Sequence, residues 1–128
     1  MLEKVKNKME NKIKEKSFSF SIRIVKLYKY LTEEKSEYIL SKQLLRSGTS
    51  IGANVSESQA AQSTADFITK LHIAFKETLE TKYWIELLVA TDYLTKEQGD
   101  SILKDCKDVA NLLASILKTT KSKNEKTN

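Results

Sequence analysis

Apolar side chains recur along this chain at steps of three and four residues, in four separate blocks. Phe20, Ile24, Leu27 and Leu31 form the first, and Leu40, Leu44, Ser47, Ile51 and Val55 nearly repeat its rhythm. Phe67, Leu71, Ala74, Thr78, Ile85 and Leu88 line the third, widened by Ile68, Phe75, Leu79 and Trp84 beside it. Ile102, Cys106, Val109, Leu113 and Ile116 keep a strict 4-3-4-3 spacing in the fourth. Such steps return a side chain to the same face of a helix and leave Lys, Glu and Asp on the other. No segment of comparable length alternates with period two, so a sheet is not expected.

The block edges carry helix signals. Ser63-Thr-Ala-Asp66 can start a helix, the hydroxyl accepting from a free amide and the acid sitting at the positive end. Thr95-Lys-Glu-Gln98 has the form of a capping box. Thr32-Glu-Glu-Lys-Ser-Glu37 is a short polar connection. The spacing predicts helices over about 17–33, 36–59, 64–92 and 96–119. Short turns between long amphipathic helices favour an all-α, antiparallel up-down-up-down four-helix bundle.

Composition changes this picture little. The 128 residues suffice for one domain burying roughly two-thirds of its unfolded surface, and the chain contains no proline. No apolar run approaches the ~20 residues of a membrane span, and MLEKVKNKMENK lacks the apolar core of a secretion signal. With Cys106 as its single cysteine, the chain reads as a reduced, cytoplasmic protein without a membrane partner.

Charge changes the picture more, because it is unevenly placed. Residues 1–16 carry six lysines against three glutamates, and residues 118–128 four lysines against one glutamate. Residues 17–117 hold twelve basic and thirteen acidic side chains. This divides the chain into a basic N-terminal extension (1–16), the bundle (17–119) and a lysine-rich disordered tail (120–128).

The stretch LLRSGTSIGANVSES, Leu44 to Ser58, contains two of the three glycines. A P-loop needs Lys and then Ser or Thr after its last glycine; here Ala53 and Asn54 follow Gly52, and no strand precedes. A helix interior accounts for the residues better. Gly48, Gly52, Ser56 and Ala60 fall four apart and form a ridge without bulk, although each glycine costs ~1 kcal/mol relative to alanine. Arg46, Ser50, Asn54 and Glu57 form a polar ladder on the other edge. The bare ridge favours contact with a second chain over tight packing inside a single bundle.

The run QLLRSGTSIGANVSES resembles the signature of the four-helix-bundle proteins encoded by intervening sequences in bacterial large-subunit ribosomal RNA. Arg46, Ser50-Ile51, Asn54 and Glu57 match its places, while Gly52 stands where many members have proline and Ser58 where glycine is common. The likeness extends to Lys16–Phe20, to SxxDF at Ser63–Phe67, to ATDYLT at Ala90–Thr95 and to LKTTK, covering roughly residues 16–121. It implies a left-handed bundle, a homopentameric ring and no enzymatic activity. It also implies kinship with the accessory proteins of diversity-generating retroelements, similar pentamers that bind nucleic acid and a reverse transcriptase. Glu80 falls where the family has Glu. Arg46, Asn54 and Glu80 are therefore expected to set register, with Arg46 reaching Glu80 across the bundle.

Enzymatic chemistry finds little material. His72 is the only histidine, and one His with one Cys cannot build a di-iron or zinc site. No catalytic, metal or cofactor residues are expected. His72 reads as a boundary residue, Cys106 as a small core hydrophobe, and the pairs Glu77/Glu80 and Asp105/Asp108 as solvated faces. Nucleic acid is the stronger candidate ligand. Lys12, Lys16, Arg23 and Lys26 follow a helical stripe beside the first core block, and lysines neutralise phosphates with salt-dependent affinity. No base-reading motif is present, so binding would follow phosphates. The expectation is a non-enzymatic oligomeric scaffold that binds structured RNA or DNA; the alternative is an adaptor ring that recruits a protein through its acidic third and fourth helices.

Overall fold

The computed structural model describes residues 2–127. They form four helices: α1 (Leu2–Glu33), α2 (Leu40–Ser58), α3 (Thr64–Ala90) and α4 (Lys96–Thr127). The described residues contain no strand. Each helix packs closely on two others, α1 on α2 and α4, and α3 on α2 and α4, while among the described residues no Cα of α1 comes within 8 Å of one of α3. The protein is an all-α four-helix bundle.

The predicted stripes form the core. Phe20, Ile24, Leu31, Leu44, Ile51, Val55, Leu71, Ala74, Ile85, Leu88, Ile102, Val109, Leu113 and Ile116 are buried together. Leu27, Leu40 and Phe67 are only partly covered and pack against that core. Both expected caps form. Ser63 Oγ accepts from the Asp66 amide at 3.1 Å. Thr95 Oγ1 accepts from the Gln98 amide at 3.1 Å while Gln98 Oε1 accepts from the Thr95 amide at 2.9 Å.

Two boundaries differ from the sequence-based expectation. Helix α2 begins at Leu40 rather than near 36, because Ser36 takes φ 52° and Glu37 closes the helix start. The Glu37 carboxylate accepts from the amides of Ile39 at 3.1 Å, Leu40 at 2.8 Å and Ser41 at 2.6 Å. Burial raises its pKa, but those amides lower it by more, and the net shift is below the ordinary value.

The second difference is at the chain ends. The basic extension and the lysine-rich tail are helical, continuing α1 back to Leu2 and α4 on to Thr127; Met1 and Asn128 lie outside the described residues. At the start of α1 the apolar stripe explains this, since Met9 and Ile13 continue it, whereas no apolar residue follows Leu117. Ile13 and Leu117 are buried, and Met9 lies beside Ile116, Thr119 and Thr120. The start of α1 and the end of α4 thus hold each other in place.

Candidate interaction surfaces

The two glycines of the small-residue ridge face α1 of the same chain. A Cβ on Gly48 would come within 2.7 Å of Ile24 Cγ1, and one on Gly52 within 2.8 Å of Ser21 Oγ and 3.3 Å of the Ser17 carbonyl oxygen. This corrects the expectation that a second chain covers them: close approach of α1 fills the space. The rest of the ridge is different. Ser56 is exposed, and Ala60 is exposed in the turn after α2 ends at Ser58.

The polar ladder also departs from expectation. Arg46 is exposed. Among the described residues it makes no ion pair with Glu80, whose carboxylate instead accepts from Trp84 Nε1 at 3.3 Å. The guanidinium acts electrostatically on Glu77, where burial and the neighbouring Glu80 raise the pKa and Arg46 opposes them. Asn54 stays on its own helix, donating to the Ser50 carbonyl at 2.9 Å and to Ser50 Oγ at 3.1 Å. Glu57 lies 3.8 Å from Lys70 Nζ. The bond that ties α2 to α3 was not foreseen: Thr81 Oγ1 donates to the buried Ser47 Oγ at 3.0 Å.

The basic stripe of α1 divides in two. Arg23 is committed to α4, donating to Asp105 Oδ2 at 2.6 Å, to the Ser101 carbonyl at 3.1 Å and to Ser101 Oγ at 2.7 Å. Lys16 shares a groove of about 410 Å³ with Glu15, Asp105 and Asp108. Acids of α4 therefore offset the middle of the stripe, while Lys12 and Lys26 stay exposed. Sequence reasoning missed the continuation towards the N-terminus. Lys4, Lys8 and Lys12, one helical turn apart, share an open surface with Asn7, Asn11 and Glu15, and all six are exposed. The signal was the same four-residue step, continued into the segment set aside as an extension.

The Lys4 and Lys8 end of this track projects. Glu10 lies level with the α2–α3 turn, sharing a pocket with Gln59, Ala61 and Gln62. The part of α1 before it therefore runs roughly 12 Å beyond the turn at 1.5 Å per residue. Met9, between Lys8 and Lys12, lies beside Thr119 and Thr120 of α4, a helix on which Lys118 and Lys121 are exposed.

Apolar surface is the other unusual feature. Phe18, Ile22 and Val25 on α1 are 67%, 43% and 37% exposed, and Leu79 and Tyr83 on α3 are 54% and 58% exposed. The Tyr83 ring meets Trp84 edge-on at 5.1 Å.

His72 is exposed. Cys106 is buried, its thiol donates to the Thr78 carbonyl at 3.4 Å, and burial pushes its pKa up to about 11. No group of three or more His, Cys, Asp or Glu among the described residues could hold a metal. No described helix is long and apolar enough to cross a membrane.

Comparison with known families now adds to this geometry. Residues 9–115 match the model of the 23S rRNA-intervening sequence protein family. The chain belongs to that family. A solved structure from Bacteroides thetaiotaomicron, described as a protein of unknown function from the S23 ribosomal protein family, is 55% identical and superposes with a TM-score of 0.85. The match covers 86% of this chain and 98% of that one. No curated protein matches the chain. The match to the 23S rRNA-intervening sequence protein family begins at Met9, so Lys12 falls inside the matched region and Lys4 and Lys8 before it.

Proposed function

We propose that this protein is a non-enzymatic scaffold of the reduced cytoplasm that self-associates and binds nucleic acid, structured RNA foremost, through the basic end of its bundle. The observation that carries the reading is the exposed track of Lys4, Lys8 and Lys12, of which Lys4 and Lys8 precede the level of the α2–α3 turn. Lysines one turn apart repeat every ~6 Å along a helix, close to the phosphate spacing of an extended strand, and bind phosphates as point charges. No base-reading group stands among them, so affinity follows phosphates and shape rather than sequence. The family's name refers to 23S rRNA, which makes structured RNA the polyanion to test first.

Self-association completes the proposal. A single copy offers few phosphate contacts, whereas the five copies implied by the family resemblance would present the track repeatedly and raise avidity. Retention of labelled structured RNA across a salt series tests the reading. Affinity is expected to fall log-linearly as salt rises, with a slope of several counterions; no binding at low salt would refute it.

A second reading has its own support. The α3 surface of Leu79, Tyr83 and Trp84 lies beside Glu77 and Glu80, and would suit a protein partner, such as a nucleic-acid enzyme of the reverse-transcriptase class. On that reading the protein is an adaptor, and RNA binding would be absent while capture of the partner persists.

A further inference from the structure

We propose that the groove between the end of α1 and the start of α4 binds an unpaired guanine nucleotide of RNA, its base on Tyr30 and its phosphate on Lys26. This rests on the reading of the protein as an RNA-binding scaffold and adds a base contact that the lysine track lacks. The two surfaces are separate, since Lys26 stands roughly 21 Å along α1 from Lys12 at 1.5 Å per residue.

The seam between α1 and α4 is open on both sides of Arg23, which bridges it to Asp105 and Ser101. The two openings differ in charge. On one side, with Arg23 and Asp105 paired, Glu15 and Asp108 outnumber Lys16, which disfavours phosphate. On the other, a groove of about 480 Å³ has Lys26, Leu27 and Tyr30 on its α1 wall and Glu97, Gln98 and Ser101 on its α4 wall. That volume falls in the range of small-molecule sites.

The α1 wall supplies what any nucleotide needs. Leu27 and Tyr30 are partly covered and packed on the core, so they present fixed apolar surface on which a base can stack. Lys26 is exposed and, among the described residues, has no acidic partner, which leaves its ammonium to take a phosphate as a point charge. Lys35 Nζ lies 6.0 Å from the centre of the Tyr30 ring and brings a second cation to that end of the groove.

The α4 wall selects the base. Gln98 commits its carbonyl oxygen to the Thr95 amide at 2.9 Å, so its NH2 is the group left to donate. Glu97 beside it is exposed and its carboxylate offers two acceptor oxygens. A donor next to two acceptors complements the pairing edge of guanine, which presents O6, N1–H and the N2 amino group in that order. Adenine, cytosine and uracil each present one donor group there, and one carboxylate oxygen stays unmatched. Guanine in a duplex has that edge occupied, so the nucleotide must be unpaired.

Four RNA hairpins test this on the full chain, sharing one stem and a uridine loop whose central residue is guanine, adenine, cytosine or uridine. The guanine hairpin is expected to bind about tenfold more tightly than the uridine one. Free guanosine 5′-monophosphate is expected to displace it at higher concentration, having no phosphates for the lysine track. Glu97→Gln is expected to erase the preference and Lys26→Ala to weaken the guanine hairpin, while both variants, altered at exposed positions, bind a fully paired RNA duplex as the natural chain does. Equal affinity for the four hairpins, or a guanine preference that survives Glu97→Gln, overturns the groove and leaves the lysine-track reading intact. The monophosphate bound where no hairpin binds overturns RNA as the source of the nucleotide. No binding of any probe at low salt overturns the RNA-binding scaffold as well.

Discussion

Gly48 of α2 lies directly against Ile24 of α1, so that a Cβ on the glycine would meet Cγ1 at 2.7 Å and Cγ2 at 2.8 Å. Carbon atoms prefer about 3.5–4.0 Å, and Ile24 is fully buried, with little room to yield. The spacing between α1 and α2 is therefore set by the absence of one methyl group.

Gly48→Ala sets two opposing effects against each other. Alanine gains about 1 kcal/mol in helix propensity, and overpacking a filled core costs about 1–3 kcal/mol. The contact atoms belong to a branched side chain near its own backbone, so overpacking prevails, and urea unfolding should show a net loss. Ile24→Ala removes every contacting atom. The double variant should then lose at least about 1 kcal/mol less than the sum of the single losses.

Glu37 predicts a pH dependence. Its pKa is lowered in the folded state, so its contribution is fully present above the ordinary value of 4.5 and fades as pH falls through the lowered folded value. At pH 7, Glu37→Gln should destabilise the protein by about 0.5–2 kcal/mol, the range for loss of a helix cap. The difference between the two proteins should narrow on acidification, as read by thermal unfolding from pH 7 to pH 3. A constant difference would mean that the carboxylate charge is not what closes the start of α2.

Arg23 and Lys8 should behave differently towards RNA. The Arg23–Asp105 pair is about 40% exposed on each side, so Arg23→Ala should cost no more than about 1 kcal/mol of stability and leave RNA affinity nearly unchanged. Lys8→Ala should leave stability unchanged, weaken binding and lower the salt slope by about 1. Parallel melting and filter-binding measurements separate the two roles.

Cys106 should be inert until the bundle opens. Burial lifts its thiol to about 11, and only the thiolate reacts. A disulfide reagent at pH 8 should label the native protein at a small fraction of the rate seen in denaturant. Comparable rates would place the thiol at the surface.

Much of the bundle was legible because its core positions obey one period. The 4-3-4-3 steps from Ile102 to Ile116 are buried throughout, and the caps at Ser63 and Thr95 have partners three residues away, within reach of local reasoning. The chain ends were harder. Around Met9, Ile13 and Thr120 the apolar stripe thins to one residue per turn among lysines, and only the pairing of α1 with α4 makes those positions a core. Gly48 and Gly52 announce close approach but not by which helix, since spacing fixes a face and leaves its neighbour open. Arg46 makes no pair with Glu80. That carboxylate takes the indole N–H of Trp84 four residues along the same helix, a local relation, whereas the distance from α2 to α3 at Arg46 is set by packing that no single helix encodes. Lys4 and Lys8 continue a visible repeat, but their significance depends on where the α2–α3 turn ends.

The most direct test of the proposed nucleic-acid scaffold is a salt titration of structured RNA against the natural chain and a Lys4→Ala/Lys8→Ala/Lys12→Ala variant. The natural chain should bind at low salt with a log–log slope of several counterions, and the variant should bind more weakly with a slope smaller by about 2–3 per RNA-contacting protomer. Equal affinity and equal slope for the two proteins, or no binding by the natural chain, would contradict it.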